Sequence, residues 1–229
     1  MWREVGDKTA LEELCMRIAR IVVVGVAVVL GGTVAVASAR PTPQQICAAA
    51  KAKCITKKTH ALFTCHAKAE NSGAPLNDGC MQRGKDKFLG CMEKADAPGS
   101  CLDPGDGPHL GDDVDAFVAD VVGDVNPGVP APVKNKCSAA KEMCMDKMVA
   151  ALFLCHGRAF LAGTEVNQAC EQAASGKFTD SASGRGCMDK AEKKGPCLAP
   201  NGDGPHLEED VVAFVDDLVG DLSGLAPAP

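Results

Sequence analysis

Two Cys-His dipeptides, Cys65-His66 and Cys155-His156, are the first residues in the chain that raise a question of chemistry. Covalent haem attachment wants C-x-x-C-H. Here Leu62 and Leu152 stand where the first cysteine would be, and the nearest upstream cysteines lie eleven residues back. The spacing speaks against haem. Each histidine reads instead as a residue near a helix C-terminus, where a partly positive ring suits the dipole.

Metal ligation by His66, His109, His156 and His206 is the next reading, because these residues recur between the two halves of the chain. His66 belongs beside a helical turn and His109 at the opposite, open end of the same unit. About 27 Å of helix separates those ends. One unit alone cannot bring both to one ion; a site would need the other half, or methionines such as Met81 and Met92. Calcium is raised by Asp103, Asp106, Asp112 and Asp113, and by Asp203, Glu208, Glu209 and Asp210, but the register D-x-[DN]-x-[DN]-G is missing. Acids in the first turn of a helix are ordinary dipole partners, and Asp106 and Asp203 read as loop or cap residues. No cofactor and no resident metal are expected.

Lys68 and Arg158 occupy equivalent positions, three past Cys65 and Cys155. If a rigid apex loop carried them, they could serve as specificity residues of a protease inhibitor, because a stapled loop loses little freedom on binding. Enzyme chemistry has less to stand on. The sequence shows no Ser-His-Asp order, no H-E-x-x-H and no phosphate-cradling glycine loop. A thiol oxidoreductase wants a close C-x-x-C, which is missing too.

The elements that would position these residues are set by cysteine. Cys54, Cys65, Cys80 and Cys91 have ten residues between the first two and ten between the last two. Eleven residues is close to three whole turns, so each pair lies on one face of a helix. In an antiparallel hairpin, residues equally far from the turn face each other. That pairs Cys65 with Cys80, Cys54 with Cys91, and Cys47 with Cys101. The second half repeats the plan and pairs Cys155 with Cys170, Cys144 with Cys187, and Cys137 with Cys197. Six cysteines allow 15 connectivities; helical phase selects this nested one. Short C-x2-C or C-x4-C metal spacings are missing.

The first helix opens at Thr42-Pro43, a cap residue before a proline suited to the first helical position, and runs to about Glu70. Cys47, Cys54 and Cys65 share a face, with Lys51, Lys57, Lys58 and Lys68 mostly off it. Gly73, Pro75 and Asn77-Asp78-Gly79 carry turn chemistry. A second helix spans about Asp78 to Asp96. After Asp103-Pro104-Gly105-Asp106-Gly107-Pro108 a third is expected from about Asp112 to Val125. Its apolar stripe is Val114, Phe117, Val118, Val121, Val122 and Val125. In the second half, residues inserted between Thr179 and Gly186 should interrupt the second helix and bulge outward so that Cys187 still reaches Cys144. Val211, Phe214, Val215, Leu218, Val219 and Leu222 repeat the final stripe.

The 229 residues divide into a secretory signal at 1–39, a first module at 40–125, a Pro-rich linker at 126–136, a second module at 137–222 and a tail at 223–229. Arg17 and Arg20 precede an uncharged run that ends in Ala37-Ser38-Ala39, the layout of a cleaved signal. Met16 would be the true start of a signal of ordinary length; an uncleaved anchor is the alternative reading of the same run. Removing residues 1–39 takes four basic and four acidic residues and leaves the net charge at −6. An acidic chain is a poor partner for nucleic acid or anionic membrane. With seven Phe, no Tyr and the single Trp inside the signal, the core is short of large side chains, and disulfides supply covalent help. An even set of twelve cysteines at repeating spacings belongs to an oxidising, exported setting.

The Cys54–Cys91 segment resembles the twin C-x9-C hairpins of the coiled-coil-helix-coiled-coil-helix group, with one extra residue per spacing, and also the plant α-hairpinins. Over nearly the whole mature chain, Gly105-Asp106, Lys87-Phe88 and Asp115-Ala116-Phe117-Val118-Ala119-Asp120 resemble secreted, duplicated Cys-rich proteins of environmental bacteria. The resemblance implies the fold and export and brings no activity with it. The expectation is an all-α chain of two tandem disulfide-stapled hairpins, each with a third amphipathic helix. Its expected role is an exported, non-enzymatic structural or binding protein whose partner is a protein or envelope component. Two-headed protease inhibition and metal-ion binding are the alternatives.

Overall fold

Thr42 opens the first helix as the sequence predicts. Its hydroxyl accepts from Gln45 N (3.2 Å) while Gln45 Oε1 accepts from Thr42 N (2.6 Å), a complete capping box with Pro43 behind it. The computed structural model describes residues 40–99, 101–129, 132–179 and 184–224. The signal segment, residues 180–183 of the insertion and 225–229 of the tail lie outside the described residues.

Among the described residues there are seven helices and no strand: α1 Pro43–Ser72, α2 Asp78–Asp96, α3 Gly107–Val125, α4 Lys136–Ala162, α5 Gln168–Thr179, α6 Cys187–Glu192 and α7 Gly204–Ser223. The first three form one repeat and the last four the other, with α5 and α6 standing where the first repeat has the single helix α2. The long helices α1 and α4 both end on a left-handed glycine, Gly73 (φ 71°) and Gly163 (φ 64°), whose amides close back on Ala69 and Ala159 carbonyls. That conformation suits a residue without Cβ.

Six disulfides staple the helices: Cys47–Cys101, Cys54–Cys91, Cys65–Cys80, Cys137–Cys197, Cys144–Cys187 and Cys155–Cys170, with Cα separations of 5.1–6.0 Å. Such separations suit unstrained bridges. Each bond joins residues of one repeat, and none of the six crosses between repeats. The Cys144–Cys187 bond holds even though the insertion splits the helix, because α6 restarts at Cys187 itself.

What joins the repeats is packing. α1 lies against α4 more extensively than any other helix pair. The two run antiparallel: Gln45 approaches Gly163, His60 pairs with Asp146, and the Glu70 carbonyl accepts from Asn135 N. The stripes of α3 and α7 meet as well. Phe117 and Phe214, equivalent residues of the two copies, stack with centroids 3.9 Å apart and planes 5° from parallel. Phe63 and Phe153 meet that stack edge-on, at 6.0 and 6.2 Å. Equivalent residues in mutual contact place a pseudo-two-fold axis through the stack, and one buried cluster draws on both repeats. The end of the linker at Asn135 is correspondingly tied down. Asn135 caps α4 by accepting from Cys137 N and Ser138 N, and Ser138 Oγ donates to the Val125 carbonyl.

Two sequence expectations shift. The third helix begins at Gly107, not near Asp112, because Pro108 fits the first turn, where no amide donor is required, and Gly107 lets the chain approach Met92 Cβ. Asp112 and Asp113 therefore lie beyond the first turn. Lys51 and Lys58, placed mostly off the packed face, are buried.

Candidate functional site

The buried lysines are structural. Lys51 Nζ donates to Asp106 Oδ1 (2.6 Å) and the Asp103 carbonyl (2.6 Å) and lies 2.9 Å from Asp96 Oδ1. Lys141, its equivalent, reaches Asp203 Oδ1 (2.6 Å), the Pro200 carbonyl (3.3 Å) and Glu192 Oε1 (3.4 Å). Asp96 and Glu192 in turn accept from the amides of Gly105 and Gly202. The Gly-Asp motif thus receives a role: its aspartate neutralises a lysine on the first helix of each repeat and fixes the loop leading into α3 or α7. Burial pushes the Asp106 carboxyl up, with Lys51 pulling against it. The pairs were missed because a lysine in a helix reads as solvated; the signal was there in Lys51, Asp106, Lys141 and Asp203 recurring together.

A second buried group draws on both repeats and has no counterpart at the symmetry-related place, where Phe160 and Ala52 stand. Glu70 and Glu142 lie side by side, both buried, and Asn126 Nδ2 donates to Glu70. Burial first, then the neighbouring Glu70, pushes Glu142 up to about 11. Both effects favour the protonated form of Glu142. Perturbed acids often mark catalytic sites, but at 2% and 0% exposure this pair is closed to a substrate.

The residues singled out from sequence separate into three groups. His66 is half-buried and His156 buried, and burial lowers the pKa of both; Glu171 Oε1, 3.2 Å from His156 Nε2, opposes the shift in His156. The histidines at the two helical turns do not meet those at the open ends. His109 and His206 instead each meet one acid of their own repeat and one of the other. His109 Nδ1 is 3.5 Å from Asp113 Oδ2 and its Nε2 3.9 Å from Asp221 Oδ2. His206 Nε2 is 3.8 Å from Asp210 Oδ2 and 3.9 Å from Asp124 Oδ2.

Lys68 and Arg158 are both exposed, but they sit inside α1 and α4 rather than on an apex loop. A protease cleft takes its ligand as extended chain, and helical backbone has no ladder groups to offer it. The placement removes the geometric basis for inhibition through these two residues.

Arg158 instead borders a groove of about 330 Å³ between α1 and α4, with Lys53 on the opposite wall. Its floor and sides are apolar: Phe153, Ala150, and the exposed Leu154 (54%) and Leu161 (43%). Leu154 and Leu161 are one heptad apart and stand where the first repeat has Thr64 and Asn71. On that other side of the axis, His60 Nδ1 pairs with Asp146 Oδ2 at 2.7 Å, where the groove side has Ala150 and Thr56. The two long helices therefore present one apolar face and one polar face. Aligning the repeats would have shown it; reading each helix alone does not.

Among the described residues no helix is long and apolar enough to cross a membrane. No family model matches the chain, and neither the curated proteins nor the solved structures contain a match to it.

Proposed function

We propose that this chain is an exported, non-enzymatic binding protein that holds an amphipathic, acid-flanked segment of a partner protein in the groove between α1 and α4. The observation that carries the reading is the asymmetry of two equivalent faces: Leu154 and Leu161 are exposed on one, while the other carries Thr64, Asn71 and an ion pair. Exposed leucines at heptad spacing beside a concavity fit the helix-in-groove mode of recognition, and Lys53 and Arg158 at the rim select acidic flanks. Six disulfides support the exported setting and staple each groove wall to its own repeat, so that little is lost in ordering it. The non-enzymatic reading rests, among the described residues, on the sealed position of the one strongly perturbed carboxyl pair and on the disulfide-bonded state of the cysteines.

The test places a photo-reactive apolar residue at position 161 or, as control, at position 71, and illuminates the exported protein in the extracellular and envelope fractions of its own producer. A discrete adduct at 161 that Leu154→Thr abolishes supports the proposal. Equal labelling at both positions, or none at either, contradicts it.

A further inference from the structure

We infer that the two ends of the α3/α7 pair are divalent transition-metal sites of the zinc class, each assembled from one histidine and two aspartates drawn from both repeats. One site is His109 and Asp113 of α3 with Asp221 of α7; the other is His206 and Asp210 of α7 with Asp124 of α3. In each, the candidate ligand atoms all lie within 4.8 Å of one another. At the second site one nitrogen, His206 Nε2, faces Asp210 at 3.8 Å and Asp124 at 3.9 Å, close to the separation of about 3.3 Å that tetrahedral ligands at about 2.05 Å impose; at the first, Asp113 lies 3.5 Å from Nδ1 of His109 and Asp221 3.9 Å from its Nε2. Three ligands leave a fourth position for water.

Three independent features point to a cation rather than to incidental surface acid. First, Asp113 Oδ2 and Asp210 Oδ2, the oxygens turned to the imidazoles, are shut off from solvent and accept no hydrogen bond. Further aspartates of the facing helix stand near them, Asp217 by Asp113 and Asp120 by Asp210. Second, Asp124 and Asp221 occupy the last turns of α3 and α7, the negative ends of the helix dipoles, where neither helix carries a basic residue. An acid is disfavoured there unless a positive charge answers it. Third, the same set forms twice under the pseudo-two-fold axis, about 22 Å apart along the helices.

The sites also fall where covalent structure is lacking. All six disulfides lie within repeats, and each metal site would clamp one repeat to the other. The neutral imidazole and the carboxylates are suitable donors for zinc-class ions, whereas calcium prefers oxygen alone.

The experiment is native mass spectrometry of the tag-free, disulfide-intact chain in excess Zn²⁺, with thermal unfolding alongside. The targets are His109→Ala and His206→Ala, at 70% and 66% side-chain exposure, so folding is not at stake. The wild type should take two ions and gain thermal stability; each single variant should keep one ion, and the double variant none, with its stability independent of Zn²⁺. Zinc uptake unchanged in the double variant assigns the metal to His60, His66 or His156 and overturns the inference. So does a wild type that takes up no zinc, or one that takes calcium irrespective of both substitutions.

Discussion

Two equivalent places in the repeats are filled by opposite chemistry. In the first repeat Lys58 is buried, lies 2.9 Å from Asp115 Oδ1, donates to the Gly111 carbonyl and sits 5.0 Å over the Phe88 ring. In the second repeat the same positions are Met148 and Val212, with Phe178 kept and Glu208 standing for Gly111. Glu208 spends its carboxylate on Thr179 Oγ1, at 2.6 Å. Likewise Glu70, Glu142 and Asn126 correspond to Phe160, Ala52 and Ser223. One backbone thus accepts a buried ion pair or an apolar pair, and a carboxyl pair or an aromatic ring on alanine. The fold is specified by the cysteines, the stripes and the Phe117–Phe214 stack, and it tolerates buried charge without needing it at these places. Burial pushes Lys58 below its ordinary pKa even against the pull of Asp115, which means that desolvation outweighs pairing there.

The Lys51 and Lys141 clusters are different, because both repeats keep them. Lys141→Met, which strands Asp203 and Glu192 around a fully buried position, should be the most damaging substitution, costing about 3–5 kcal/mol in urea unfolding. A loss below about 1 kcal/mol would reduce the conserved clusters to the same standing as the dispensable pair. Next in size is Gly111→Ala. A Cβ there would stand 3.1 Å from Phe88 Cε1 and 3.2 Å from Lys58 Nζ, so about 1–3 kcal/mol should be lost to overpacking. The loss should shrink in a Lys58→Met background if the lysine is the obstacle.

The carboxyl pair should show in the pH dependence. Between the ordinary value of 4.5 and about 11, folded Glu142 holds a proton that the unfolded chain has released. The native state binds more protons in that window, so stability falls as pH rises through it. Thermal unfolding followed from pH 5 to pH 9 should show a falling midpoint in the wild type and a flatter one in Glu142→Gln. Identical slopes would mean that folded Glu142 does not hold that proton. The smallest effect is expected of the double exchange Lys58→Met/Asp115→Val, which imports the second repeat's own solution. It should change stability by less than about 1 kcal/mol, where Lys58→Met alone costs more.

The hairpin helices, the Thr42 cap and the disulfide partners are legible in the sequence for a local reason. Thr42-Pro43, Gly73 and the eleven-residue cysteine spacing act within one helix or one hairpin, where phase alone decides which residues face each other. The relation between repeats is not local. Nothing in the α3 stripe says whether Phe117 covers its own hairpin or meets Phe214, and the linker reads as a spacer although Asn135 and Ser138 fasten it. The histidines show the same limit. His109 has no partner within its own repeat beyond Asp113, and Asp221 becomes its neighbour only once the two copies pack antiparallel. The groove required a comparison of Leu154 with Thr64, since an exposed leucine on one helix is unremarkable.

The central claim is that two separately stapled repeats form one body through noncovalent packing. A specific protease site inserted after Val133, an exposed linker residue, tests it most directly. After cleavage no disulfide joins the halves. Native mass spectrometry of the nicked protein should show a single species with the combined mass, separating into two only in denaturant. Two free halves in native buffer would contradict the shared core.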